Sequence, residues 1–563
     1  MTATDAAAGP APASPRSARL STWRDSRWVT PLAIVVALVP LVASAISMAV
    51  RVGTEFRPQA DQAWIELQIR DIGHFPVLLG PYSRFGWFHP GPLLYYVLWL
   101  PYRLSGSTSV SLVIAALVVN AAAITGIALI AKRRGGLTLL LVTLLLLGLF
   151  ERALGAQFLR DVWNPSITVL PLALLVFLAW TASAGDVWAV PIAAGVATFL
   201  VQTHVSYGLV TGTICLGAVV GLVVTERRRG PASAARRRTY LWGAVVTAGV
   251  LGVLWLPVLV QQLFRDPGNV GQLYHFFRDH GREQGYGDAF HVMAQQLSVT
   301  PEWLRGADQV NRFSGAVDLS GATPVPLALL ALVAATVVAW WRDKVAWRLN
   351  ALVLGACAAG FAAVTRIVGE IFPYLVRWSW TLGMLTWLAV AWTVVVTYRA
   401  WMAGAWVEKD APTRERSRGR VLGRVALALV VAGFAAITVV NTVDAADAGN
   451  PDAYGSALAA KFVPVLLDRI PDGPGVVEIR SSGGEGSTWA GGGIADELEK
   501  YGIETRVPPG LEFAYGPDRV LDGERVKLVV LPMETADIER NGVPDGFTEI
   551  ARVGRVHLFV EEA

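Results

Sequence analysis

Eleven apolar runs, each near the length of a bilayer-crossing helix, constrain this chain more than any other feature. They cover residues 29–50, 108–131, 136–153, 166–182, 187–205, 207–225, 240–263, 324–341, 346–365, 373–397 and 421–440. A hydrocarbon core takes roughly 20 apolar residues of helix. Within it every backbone N–H and C=O must be satisfied inside the segment, as in a helix. Charged residues are only 16% of the chain, against about 25% in soluble domains. The expectation is a polytopic α-helical membrane protein with about eleven transmembrane helices.

Basic residues set the orientation, because Lys and Arg near span ends collect on the cytoplasmic side. The segment "RSARLSTWRDSRW" before the first run is basic and is placed inside, behind a disordered cytoplasmic tail (residues 1–28). That first run is read as an uncleaved span, since it lacks a clear small-residue cleavage site. Alternation from there puts "KRRGG", "ERRRGPASAARRR", "WRDKVAWR" and "RERSRGR" all inside. The agreement holds only if "FGWFHPGPLLYYVLWLP" (85–101) is left out of the count. Residues 51–107 then form one long extracytoplasmic loop, and 91–104 an amphipathic helix at the interface, headed by Pro90 and Pro92. A second long outer loop covers 264–323.

After residue 440 the composition changes. Short β-rich runs ("GVVEIR", "IETRV", "VKLVVLP", "RVHLFVEE") alternate with a helical "GIADELEKYG". Residues 441–563 are therefore expected to form a small extracytoplasmic α/β domain beyond a transmembrane domain of 29–440. Its "RSSGGEGSTWAGGGIADELEKYG" reads as strand, Gly-rich loop, then helix. No phosphate-loop lysine follows, so a structural turn is favoured over a binding loop. Cys215 and Cys357 both lie in apolar runs, which argues against a disulfide or a thiolate metal site. A net charge of +4 gives no reason to expect a nucleic-acid partner.

Ionisable residues at the outer membrane edge are the candidates for chemistry, because such groups are costly there and tend to face cavities. Asp61 begins a helix-like stretch; it could serve as an N-cap or as a general base, with Asp71 as the fallback. Arg84, His89, Arg160 and Arg377 are candidate cations for a phosphate. Arg160–Asp161 and Arg366–Glu370 could equally be local ion pairs. Arg377 has no acid near it in sequence, which favours a phosphate role. His89, Asp161 and His204 would make a divalent metal site if they converge, although no fixed ligand spacing marks one. The cofactor is otherwise unknown.

An initial span, a long loop opening with an acid and an aromatic helix headed by "HPGPLLYY" together resemble the glycosyltransferase C (GT-C) superfamily. The likeness is to its aminoarabinose lipid A transferases and protein O-mannosyltransferases. Those loops open with an Asp-Glu pair and end in a Lys/His-Pro-Pro-Leu-Tyr-Tyr pattern. Here Gln62 replaces the second acid and Gly91 separates the prolines. The resemblance spans residues 30–265 in pattern and the later runs in topology only.

It implies an inverting transfer of a sugar from a polyprenyl-phosphate donor to a cell-envelope acceptor (glycan, lipid or protein) at the outer face of the plasma membrane. Asp61 would be the base. Arg84, His89, Arg160, Asp161, His204 and Arg377 would bind the donor phosphate or substrate. Membrane lipids are the other expected partners. Alternatives are a flippase for lipid-linked glycan, which would show inverted repeats, and a non-catalytic envelope scaffold.

Overall fold

The computed structural model describes residues 27–281, 283–305, 315–402 and 413–562, so the disordered tail expected over 1–28 lies almost wholly outside the described residues. Every apolar run becomes helix. We number the main helices α1 (Val29–Ser47), α2 (Ala60–Asp71), α3 (Leu93–Leu104), α4 (Ser109–Leu154), α5 (Val169–Ser183), α6 (Ala189–Thr203), α7 (Gly208–Arg228), α8 (Ala234–Phe264), α9 (Asn269–Asp279), α10 (Tyr286–Leu297), α11 (Leu327–Arg342), α12 (Lys344–Val364), α13 (Trp378–Ala400), α14 (Thr413–Asp447), α15 (Ala453–Leu467) and α16 (Glu485–Lys500). Among the described residues eight helices are long and apolar enough to cross a membrane, while α6 and α11 are apolar but shorter.

Two of the expected spans share α4. Its non-helical break is Gly136, at φ 68°, in the "KRRGG" loop. Glycine reaches positive φ at little cost, so the chain reverses there without leaving its hydrogen-bonded ladder for long.

The basic loops meet at one end of the bundle, around the 181–186 turn. Arg133 pairs with Asp186, and Arg134 donates to the Thr181 carbonyl at 2.8 Å. Arg229 donates to the Ala184 carbonyl at 3.3 Å and Arg348 to that of Ser183 at 2.5 Å. Arginines from three separate loops thus satisfy the terminal carbonyls of one helix, α5, as its C-terminal dipole favours.

The opposite end carries the first loop and the C-terminal domain. Leu93–Leu104 forms the expected short helix, with Pro92 as its N-cap. The "HPGP" turn ahead of it is held by contact rather than by propensity. A Cβ on Gly91 would lie 2.5 Å from both Gln202 Oε1 and Val258 Cγ2, and one on Gly80 would lie 2.5 Å from the Gly91 carbonyl. Asn269 of α9 accepts from the Phe88 N–H and donates to its carbonyl, both at 2.9 Å.

The C-terminal sheet has five strands in the order β2–β1–β3–β5–β4: β1 (Val476–Ile479), β2 (Thr505–Arg506), β3 (Val526–Glu534), β4 (Thr548–Val553) and β5 (Val556–Glu562). β1 pairs parallel with β2 and β3, and β5 antiparallel with β3 and β4. Two sequence expectations change here. α14 continues to Asp447, so the membrane helix passes the expected boundary at 440. The "GGEGSTWAGGG" run is mostly helix, because α16 starts at Glu485. Its glycines make room for α2: a Cβ on Gly493 would lie 1.9 Å from Gln59 Nε2, and one on Gly492 2.6 Å from Trp64 Nε1. Trp64 and Leu67 of α2 accordingly lie in the apolar core of this domain, with Phe462, Ile494, Leu498 and Leu528.

Candidate active site

The start of α2 sets the geometry. Gln59 is extended, Ala60 is at φ +49°, and Asp61 follows in the first helical turn. The N-cap position belongs to Gln59, so Asp61 is not the N-cap that the sequence allowed. A non-glycine residue at positive φ costs about 1–3 kcal/mol and persists only where its surroundings impose it. Here Gln59, wedged against Gly455 and Gly493, imposes it. The result directs Asp61 away from the domain core, beside Tyr95. Burial, and then the Asp61 carboxylate, push the Tyr95 phenol well above its usual range.

Asp61 borders a small pocket of about 30 Å³ and two larger cavities. One, of about 810 Å³, is also lined by Arg84, His89, His204 and Arg366 and by a wall of aromatic rings that includes Trp87, Trp163, Phe276, Phe277, Tyr374 and Trp489. The other, of about 520 Å³, lies between the start of α2, the 157–161 segment and the C-terminal domain. Trp489 of α16 lines both.

The large cavity pairs cations with neutral donors. Arg84 donates to the Val368 carbonyl at 3.1 Å and lies over the Phe85 and Phe372 rings at 4.8 and 4.9 Å. Arg366 donates to the Phe277 carbonyl at 2.5 Å. These contacts fix the guanidinium planes while each keeps further N–H groups for an anion. His89 and His204 sit ring against ring, 4.4 Å between centroids. His89 Nδ1 accepts from the Val205 N–H at 3.2 Å, and His204 Nδ1 from the Ser206 N–H at 3.3 Å. An Nδ1 that accepts from a backbone N–H leaves the proton of a neutral imidazole on Nε2. Burial, and then His204, hold the His89 pKa well below 6.5. His89 is therefore a neutral donor, not the cation expected from sequence.

Four other predicted residues lie outside this cavity. Arg160 is buried and donates to Gln157 Oε1 (2.6 and 3.0 Å) and to the carbonyls of Ala448 and Gly449, so it ties the 156–160 turn to the end of α14. Burial lowers its pKa to about 10. Asp161 lines the smaller cavity and accepts from Ser166 Oγ (2.9 Å), the Trp163 N–H (3.1 Å) and Gln62 Nε2 (2.8 Å). Asp71 forms a two-pronged ion pair with Arg519, at 2.6 and 2.8 Å. Arg377 is buried at the head of α13 and stacks on Trp380 at 4.3 Å. The charge of Glu302, from the second outer loop, acts on it, and Glu302 accepts from Trp380 and Gln296. The acid missing from the local sequence is thus supplied by tertiary structure.

The imagined metal triad does not assemble. Asp161 lies across in the other cavity, and both histidine Nδ1 atoms are occupied. Among the described residues no three His, Cys, Asp or Glu side chains group to hold a metal ion.

One site feature was not singled out from sequence, and another was left open: Arg366 stood as an outer-edge polar candidate with a local pair to Glu370 as the equal alternative. Trp489 sat within the glycine run, where nothing signalled that α2 and its acid would pack against it. Gln62 is now explained. It donates to Asp161, so an acid at this position would set two carboxylates face to face.

No protein-family model matches the chain, and no curated protein does. Solved structures do. ArnT from Cupriavidus metallidurans bound to undecaprenyl phosphate superposes with a TM-score of 0.55 at 14% identity, covering 94% of this chain and 98% of that one. Its apo form gives 0.54 at 15% identity over the same shares. The chain has an ArnT-like fold over nearly its whole length.

Proposed function

We propose that the protein is a membrane glycosyltransferase that moves a sugar from a polyprenyl-phosphate donor to a cell-envelope acceptor on the extracytoplasmic face. One observation carries the reading: Asp61 borders both a cavity with two arginines and aromatic walls and a second cavity beside the C-terminal domain. The fold is that of a protein solved with undecaprenyl phosphate bound.

In this reading the donor lies in the large cavity, with its phosphate against Arg84 and Arg366 and its sugar toward Asp61. The acceptor hydroxyl approaches from the second cavity. Asp61 takes its proton as the oxygen attacks the anomeric carbon from the face opposite the phosphate. The new C–O bond forms while the bond from C1 to the phosphate oxygen breaks. The electron pair leaves on the polyprenyl phosphate, and the anomeric centre inverts. Arg84 and Arg366, with the Nε2–H groups of His89 and His204, stabilise the charge that grows on the leaving phosphate. Aromatic walls exclude water, which would otherwise compete as the acceptor.

The test is transfer from a radiolabelled undecaprenyl-phosphate sugar by the full-length protein in nanodiscs, supplied with cell-envelope extract. Label should move from the lipid to a water-extractable or membrane-bound product. Retention of all label on the donor across a panel of donor sugars would remove the transferase reading.

A further inference from the structure

Asp61 opens α2, and the C-terminal domain holds that helix at points away from the carboxylate. Glu66 lies five residues on, about 140° round the helix and about 7.5 Å along it. It is fully buried. One of its oxygens accepts from the Tyr102 hydroxyl of α3 at 2.9 Å. The other faces the ammonium of Lys500, the last residue of α16, at 3.4 Å. That ammonium also donates to Ser109 Oγ at the head of α4 (2.6 Å), to Asp496 (2.5 Å) and to Glu497 (2.9 Å). An ammonium has three N–H donors, so the three short contacts use them and Glu66 is held by charge. Arg70 pairs with Asp496 and Arg57 with Glu497, both at 3.2 Å. Glu66, Asp496 and Glu497 thus face Lys500, Arg70 and Arg57 across one junction.

The contact with α4 runs against local electrostatics. A helix N-terminus favours anions, so the head of α4 would not hold an ammonium by itself; the carboxylates of α2 and α16 bring it there. Lys500 joins the helix that carries Asp61, a helix long enough to span the membrane, and the C-terminal domain. Neither Glu66, Lys500, Tyr102 nor Ser109 lines either of the larger cavities.

We propose that Lys500 is a positioning residue for the transfer: its ammonium locks α2 to the head of α4 and so fixes the rotation at which Asp61 meets the substrate. The inference rests on the transferase reading and deepens it. A helix with its side chains has a radius of about 5–6 Å, so a rotation of about 10° carries a carboxylate through about 1 Å. A displacement of that size costs about 100-fold in rate where reacting groups must be held in line. Through this junction the C-terminal domain acts on turnover from outside both cavities.

The experiment uses the full-length protein in nanodiscs. It reads hydrogen exchange of residues 60–71 and transfer from the radiolabelled undecaprenyl-phosphate sugar to envelope extract, with undecaprenyl phosphate affinity measured alongside. Lys500→Met alone leaves a buried acid unpaired and should lower the thermal midpoint. Lys500→Met with Glu66→Gln removes one charge of each sign, so Asp496 keeps Arg70 and Glu497 keeps Arg57. Most of the midpoint should return. In that double variant residues 60–71 should still exchange about tenfold faster than in the wild type or more, with residues 169–183 of α5 unchanged. Turnover should fall about tenfold or more, and undecaprenyl phosphate affinity should stay within about threefold. Ser109→Ala removes only the α4 contact and should move exchange and turnover the same way, each by about threefold or more. Wild-type turnover in the double variant, restored along with the midpoint, would show a purely stabilising role and overturn the proposal. Wild-type exchange of residues 60–71 in Ser109→Ala would overturn it too. A wild-type protein that transfers no sugar would instead strike the transferase reading, and the exchange measurement would then decide the junction by itself.

Discussion

His89 and His204 lie ring against ring, 4.4 Å apart, on the wall of the large cavity, each with Nδ1 turned to a backbone N–H. Charging either imidazole would break that hydrogen bond and set a positive charge beside its neutral neighbour.

The first prediction follows from that pair. The pKa of His89 is lowered in the folded protein, so the unfolded chain binds the extra proton in the window below about 6.5. Stability therefore falls as pH drops through that window. The thermal midpoint should decrease between pH 7 and pH 5, and His89→Gln should flatten part of that slope. Carbon-13-labelled histidine spectra should show His89 neutral throughout this range.

Arg84 and Arg366 differ from Arg377 in what they face. Removing a charge-assisted hydrogen bond to phosphate costs about 1.5–3 kcal/mol, roughly 10- to 100-fold in affinity. Arg84→Gln and Arg366→Gln should each weaken undecaprenyl phosphate binding by that factor. Arg377→Gln should leave the affinity within about threefold and lower the thermal midpoint, because it abandons the stack on Trp380 and the charge of Glu302. Calorimetry on the three variants separates the two outcomes.

Asp71 and Arg519 join α2 to the C-terminal domain through a buried, two-pronged pair, with Glu499 also on Arg519. Breaking one side of such a pair costs about 3–5 kcal/mol, whereas an apolar replacement of both partners is often tolerated. Asp71→Ala should destabilise the domain and expose its docked face to limited proteolysis. Asp71→Leu with Arg519→Met and Glu499→Gln, which removes all three charges together, should recover most of the loss.

Backbone constraint at the start of α2 gives a fourth pair of variants. Gly493→Ala places a methyl on Gln59 and should cost about 1–3 kcal/mol, with turnover reduced because α2 shifts. Ala60→Gly relieves a positive φ and should raise the thermal midpoint, by about 1 kcal/mol of stability. It should still slow turnover, since Asp61 is less tightly aimed.

The membrane helices were readable from sequence because burial in lipid acts on each segment separately: length, apolarity and arginine placement are local properties. Asp61, Arg84, His89 and His204 were findable as polar residues at one predicted membrane face, and the fold brings those four to one cavity. Roles that depend on distant partners were not readable. Arg377 meets Glu302 from a loop with no motif, and Arg160 meets carbonyls at the end of α14. The glycine run was taken for a loop because glycine disfavours helix; its use, close approach to α2, is visible only once α2 is in place. β4, "TEIARV", escaped notice because its mixed, largely exposed pattern lacks the apolar alternation of its neighbours.

The central claim is that Asp61 removes the acceptor proton. The direct measurement is single-turnover sugar transfer by Asp61→Asn, an isosteric change that keeps the fold, with undecaprenyl phosphate affinity measured on the same sample. A general base supplies about 10²–10⁴-fold. The account predicts a loss of that size with affinity unchanged. Transfer at the wild-type rate would contradict it.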